Sequence, residues 1–174
     1  MSAPRFRAAE GQGQGWAEAA KACADGLMPV PEGASLGFLY VTSTLGEHLG
    51  SVLTFLRERT RVQHWVGTIG LGVCGASGEH FDGAVVSALV ASLPEEAFRV
   101  FGPEIVGGRA LLASAAEWFA KTQPVLGIVH GDPRDARMTE TLGALSAEAG
   151  LFLVGGIAAA QDRKSTRLNS SHGI

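Results

Sequence analysis

The 174-residue chain is poor in several things that would assign it a class. It has two cysteines, Cys23 and Cys74, in no CxxC spacing. That excludes a disulfide framework and a cysteine-based structural zinc site, and a reduced, cytoplasmic setting follows as the expectation. Cations do not outnumber acids: the net charge is −3, so no basic surface points to nucleic acid. Charged residues are only 18%, against 46% hydrophobic, which argues against disorder and for a packed core. No apolar run approaches the roughly 18 residues expected of a membrane-spanning helix. The first residues, MSAPRFRAAEGQGQG, lack the apolar centre of a signal peptide. GxxxxGK[ST] and HExxH are both missing, so no P-loop and no zincin site is indicated.

What the chain has in excess is glycine, 24 in all, six of them between Val66 and Gly83. Such density is entropically costly unless the backbone needs positive φ or close approach. A loop of small residues next to buried strands can also turn its amides toward an anion. Gly70 to Gly75 spells GxGxxG, but a dinucleotide site needs the last glycine to open a helix and an acid on the following strand. Gly78 and Gly83 interrupt any such helix, and Glu95-Glu96 follows Pro94 in a connection.

Around that stretch the apolar periodicity alternates between strand and helix. Residues 1–14, small and polar, read as a frayed arm. Trp16 to Leu27 has helical spacing with Cys23 on its inner face. Ser35 to Val41 reads as a strand. Thr44 and Glu47 form a capping-box pattern ahead of a helix carrying Leu45, Leu49, Val52, Leu53 and Leu56. Val62 to Val66, Ala84 to Leu93, Phe98 to Phe101, Val125 to Val129 and Leu151 to Val154 read as further strands. Ala110 to Thr122 reads as a helix, and Asp135 as the cap of another that stops at Gly150. The result is an α/β fold: a mixed, partly parallel sheet with flanking helices, over residues 15–161. The strand ends at Val66, Val129 and Val154 are expected to gather their loops at one sheet edge, where ligands sit in open α/β sheets. Residues 162–174 break the pattern, with Arg163, Lys164 and Arg167 against Asp162 and no periodicity. They resemble translated synthetic adaptor, and the reading is that the native sequence continues differently after about residue 161.

The candidate binding residues are Gly70, Gly72, Cys74 and Gly75 in the glycine stretch, His80 at its rim, His130 and Asp132 at a strand end, and Gly155 and Gly156 at another. The reading is non-catalytic: amides of Gly70 to Gly78 hold the anionic end of a small polar ligand, and His80, His130 or Asp132 add hydrogen bonds. Two alternatives stay open. One is a hydrolase or acyl-transferase with Cys74 as nucleophile and His130 as base. The other is a haem-based gas sensor with Cys74, His80 or His130 as axial ligand.

The order of VGTIGLGVCGASGEHFDGAVVSAL, VLGIVHGDPRDARMTETLGALSAEAG and LFLVGGIAAA, from about Leu36 to Ala160, resembles the N-terminal domain of the FIST family (F-box and intracellular signal transduction proteins). The loop glycines, Cys74 and Gly155-Gly156 are the positions that match its pattern. The resemblance implies a sensory domain of a bacterial signalling protein, with small ligands such as amino acids. It further implies a C-terminal FIST domain as partner and an output such as a kinase or cyclase. Some relatives are haem-linked sensors; the cofactor here stays unknown, and no catalytic or metal residue carries over.

Overall fold

The structure, a computed structural model, describes residues 5–75, 77–102 and 107–158. In chain order, β1 is Arg5–Gly13, α1 Trp16–Gly26 and β2 Leu36–Thr42. A 3₁₀ turn over Ser43–His48 leads into α2, Leu49–Thr60, then β3, His64–Gly70. A short hairpin follows, β4 Val73–Cys74 and β5 Glu79–His80, and then β6, Ala84–Ser92. The second half holds α3 Gly108–Ser114, α4 Ala116–Thr122, β7 Leu126–Gly131, α5 Met138–Gly143 with a π-helical extension Ala144–Glu148, and β8 Phe152–Ile157.

The first half is a four-stranded sheet in the order β1-β6-β2-β3, with β2 and β3 parallel and the other pairs antiparallel. β7 and β8 form a separate parallel pair. The fold is α/β with mixed sheets, as the alternating pattern predicts. The strands that carry the expected ligand loops, however, are divided between two sheets rather than one.

One face of the main sheet packs on α1 and α2. Leu39 and Val41 of β2, Ala84, Val86, Ala88 and Val90 of β6, and Trp65 and Ile69 of β3 meet Ala19, Ala20, Cys23, Ala24, Val52 and Leu56. Burying these side chains supplies about 25 cal/mol for each Å² of apolar surface removed from water. Trp65 is fully buried and donates its indole N–H to Val62 O at 2.9 Å. Its ring fills the space where a side chain at position 37 would stand, so Gly37 is needed there.

The arm reading of residues 1–14 is corrected: residues 5–13 are β1, paired along its whole length with β6. The reason is close packing. A Cβ at Gly11 or Gly13 would overlap α1 backbone at Ala19 or the Glu18 side chain. Glycine is a poor strand former in general, but here the helix sits too near for anything larger. The expected capping box is also absent, since neither the 3₁₀ turn nor α2 has a side-chain cap. Residues 98–102 are not strand, and the helix expected over 110–122 is two helices meeting at Ala115 (φ −127, ψ 23). Asp135 accepts from Arg137 N at 3.0 Å in the turn before α5 and does not cap it.

Candidate functional site

The second face of the main sheet carries one polar row beside apolar residues such as Phe38, Leu89 and Val66. Strand registers set Glu10 opposite Ser87, Ser87 opposite Tyr40, and Tyr40 opposite Thr68. Directly opposed residues share a face, so these four side chains form one row across β1, β6, β2 and β3. Two histidines from later in the chain meet this row, His80 at Glu10 and His130 at Tyr40.

At the β1 end lies the β4–β5 hairpin. His80 Nε2 is 3.5 Å from Glu10 Oε2, and Gln12 Nε2 is 2.9 Å from His80 Nδ1. Ser77 N–H donates to Glu10 Oε1 at 3.0 Å, and Ser87 Oγ donates to Cys74 O at 3.4 Å. A Cβ at Gly75 would overlap the Glu10 carboxylate, so this glycine makes room for an acid from a distant strand.

The expectation of bare amides in the glycine stretch is corrected here. Val73 and Cys74 pair with His80 and Glu79, and Gly75 N–H donates to Gly78 O at 2.8 Å. With Ser77 also bonded, the hairpin spends these donors on itself and on Glu10 rather than offering them to an anion. Gly70 closes the turn against Gly72, and Gly72 leaves room for the Phe81 ring. Gly78 and Gly83 adopt φ +146 and +81, conformations that favour glycine.

Farther along the row, Tyr40 OH and His130 Nε2 of β7 are 3.0 Å apart, with ring centroids at 5.5 Å. This hydrogen bond joins the main sheet to the β7–β8 pair. Burial lowers the His130 pKa from its usual value and raises that of Tyr40, so at neutral pH both are uncharged.

His130 also lines a cavity of about 270 Å³. Its walls are β3 at Val66 and Gly67, the whole of β7, and side chains that include Phe101, Leu111, Trp118, Phe119 and Leu142. Arg99 and Arg137 stand among the polar liners; Arg137 pairs with Asp135 at 3.3 Å, while Arg99 forms no ion pair among the described residues. The volume lies just below the ~300–1,000 Å³ of drug-sized sites, and an apolar lining with a few polar groups is the usual character of a small-molecule pocket.

The remaining expected residues lie apart from this cavity. Asp132 accepts from Arg134 N at 2.9 Å and from the Arg134 guanidinium at 3.0 Å, inside its own turn. Gly155 has φ +134, and a Cβ there would overlap the Val129 carbonyl. Gly156 has open space around it. The structure therefore brings Gly72, Cys74, Gly75 and His80 together in and beside the hairpin, leaves Gly70 at the end of β3, and places His130 at the cavity, in contact with Tyr40 of the row.

Cys74 is exposed, and its cross-strand partner is Glu79, whereas His80 opposes Val73. Successive side chains on a strand point to opposite sides, so Cys74 and His80 project away from each other. His130 Nε2, the base proposed for Cys74, is engaged by Tyr40. Cys23 is buried, and desolvation pushes its thiol up to about 12, which makes it inert at neutral pH. Among the described residues no group of three His, Cys, Asp or Glu side chains is placed to hold a metal ion, and no helix is long and apolar enough to cross a membrane.

Sequence reasoning passed over Glu10, Tyr40 and Ser87. The available signal was alternation: Phe38, Tyr40 and Thr42 on one side of β2 against Leu39 and Val41 on the other, and Glu10 and Gln12 against Gly11 and Gly13 on β1.

A family model described as FIST N domain matches residues 35–172. The match takes in β2 to β8 and extends through most of the 162–174 segment, which lies outside the described residues. No curated protein and no solved structure matches the chain.

Proposed function

The chain belongs to the FIST N domain family, which supports a sensory role in signal transduction in general terms, and from that premise we propose that it senses a small molecule bound in the cavity between β3 and β7. One observation carries this reading: an apolar-walled space of about 270 Å³ with the uncharged His130 on its wall, tied to Tyr40. The ligand it suits has an apolar body and a polar or anionic end, in the size range of an amino acid. Phe119 and Leu142 cover the body, and Arg99, which forms no ion pair among the described residues, meets the anion. The hairpin's part is indirect, since it fixes the polar row at the far end from His130.

Binding signals only if the ligand contacts two states of the protein differently. His130 belongs to both the cavity wall and the bond that joins the two sheets. A ligand that competes for its Nε2 shifts β7 relative to β2. The expected readers of that shift are a C-terminal FIST domain and a signalling kinase or cyclase, in a bacterial cytoplasm.

The test is a titration with the twenty amino acids, followed by thermal unfolding and by tryptophan fluorescence. Trp118 lines the cavity, so binding changes its emission, and Trp118→Phe removes that change. A ligand at 100 times its Kd stabilises by about 2.7 kcal/mol, a Tm rise of roughly 5–10 °C for a chain of this size. No Tm rise and no Trp118 response across the panel at millimolar concentration would refute the reading.

A further inference from the structure

Phe101, Trp118 and Phe119 line the cavity together and form one run of rings. Phe101 and Phe119 lie nearly parallel at 16°, with centroids 6.4 Å apart, and Trp118 stands edge-on to Phe119 at 77° and 5.2 Å. Trp118 and Phe119 belong to α4. A helical residue reaches a neighbouring space through its side chain, because side chains enclose the helix backbone. Trp118 donates its indole N–H to Glu96 O at 2.8 Å, which occupies its polar atom and holds the ring in place. The run therefore offers apolar π surface, set before any ligand arrives. α5 and its extension add Met138, Leu142 and Leu145 at helical spacing, and a thioether such as that of Met138 packs well at ring edges. An apolar cavity of about 150 Å³ takes one benzene. At about 270 Å³ this cavity has room for a ring and a short arm, or for a fused pair of rings. Its charged liners are Arg99 and Arg137 against Asp135, so the described wall carries an excess of positive charge.

We propose that the cavity's ligand is an aromatic acid: a single ring or a fused pair, joined by a short carbon arm to a carboxylate. This rests on the cavity being the ligand site. The ring lies against Phe101, Phe119 and Trp118 in offset-stacked and edge-to-face contact, and each such pair is worth more than the area it buries. The carboxylate meets Arg99. An aliphatic acid of equal size buries as much surface in the same space but gains nothing from the rings. The class takes in phenylalanine and tryptophan among the amino acids, and their analogues without the amine.

The experiment measures by calorimetry the affinity of the full chain for 3-phenylpropanoate, 3-cyclohexylpropanoate and 3-phenylpropanamide. The cyclohexyl ring carries more hydrogens and more apolar surface, so burial alone would rank that acid first. Ring–ring contacts reverse the order, and 3-phenylpropanoate is expected to bind about 5-fold or more tighter than the cyclohexyl acid. It is expected to bind about 3-fold or more tighter than the amide, which carries no charge for Arg99 to meet. Phe119→Leu keeps an apolar wall and removes a ring. It is expected to weaken 3-phenylpropanoate about 3-fold or more and to leave the cyclohexyl acid within about 2-fold. Arg99→Gln is expected to weaken both acids and to spare the amide. Equal or tighter binding of 3-cyclohexylpropanoate overturns the proposal, as does equal binding of the amide. If the cyclohexyl acid binds as well and alters Trp118 emission, the cavity remains a ligand site and only the aromatic assignment falls. If none of the three binds, the proposal falls, and the amino-acid panel decides separately whether the cavity is a site. Should Phe119→Leu not fold, the ranking of the three probes on the unaltered chain decides alone.

Discussion

Tyr40→Phe removes one oxygen and tests the join between the two sheets. Tyr40 OH lies 3.0 Å from His130 Nε2, and both residues are half-buried. The substitution deletes a hydrogen bond worth a net ~0.5–1.5 kcal/mol and leaves the imidazole nitrogen without its protein partner, a desolvation cost of ~1–3 kcal/mol if no water reaches it. Partial exposure lets water recover some of that, so the expected loss is about 1–2 kcal/mol. For a domain of this size that lowers Tm by roughly 3–6 °C. Urea unfolding followed by circular dichroism reads the loss as a lower midpoint at unchanged slope. A double-mutant cycle with His130→Ala isolates the pair, with an expected coupling of about 1 kcal/mol. If Tyr40→Phe unfolds within about 0.3 kcal/mol of the parent, or the coupling is zero, Tyr40 does not tie the sheets together and the link from polar row to cavity is lost.

Three further outcomes follow from the same geometry. Because burial depresses the His130 pKa below its ordinary 6.5, the unfolded chain takes up a proton first as pH falls. Its contribution to stability is therefore complete above 6.5 and declines as pH drops through and below that value, and His130→Gln should remove this part of the Tm–pH slope. Ellman's reagent should titrate one thiol, the exposed Cys74, in the native protein, and Cys23 after unfolding; two native thiols would place α1 wrongly on the sheet. Gly155→Ala should cost more than about 2 kcal/mol, for its φ of +134 and its overlap with the Val129 carbonyl, whereas Gly156→Ala in open space should cost under about 0.5 kcal/mol; equal costs would refute the β7–β8 register.

The apolar side of the fold was legible because its periodicity is plain. β2, β6 and α1 lie within one residue of where alternation and helical spacing put them. β1 was hidden because its inner positions are glycine, chosen for lack of room rather than for strand preference. With β1 went Glu10, and with Glu10 the reason for Gly75. The glycine stretch drew the binding reading for a sound reason, yet four of its six glycines, at 67, 70, 72 and 75, each stand where a Cβ would overlap a neighbour, which is a packing cause. His130 was named because a histidine at a strand end is visible in any sequence. The cavity beside it was not, because its walls come from β3, α3, α4, β7 and α5, five segments whose meeting depends on tertiary structure. The division of the strands into two sheets escaped for the same reason: spacing reports a strand's faces, and its edges belong to whichever strand comes to lie beside it.

The most direct measurement is hydrogen–deuterium exchange of the full chain with and without a saturating concentration of the amino acid that raises its Tm most. The account predicts that amides in residues 64–70 and 126–131 exchange more slowly with that ligand present, while the hairpin at 73–80 is unchanged. Slowing confined to the hairpin, or no slowing in either strand, would contradict a ligand site between β3 and β7.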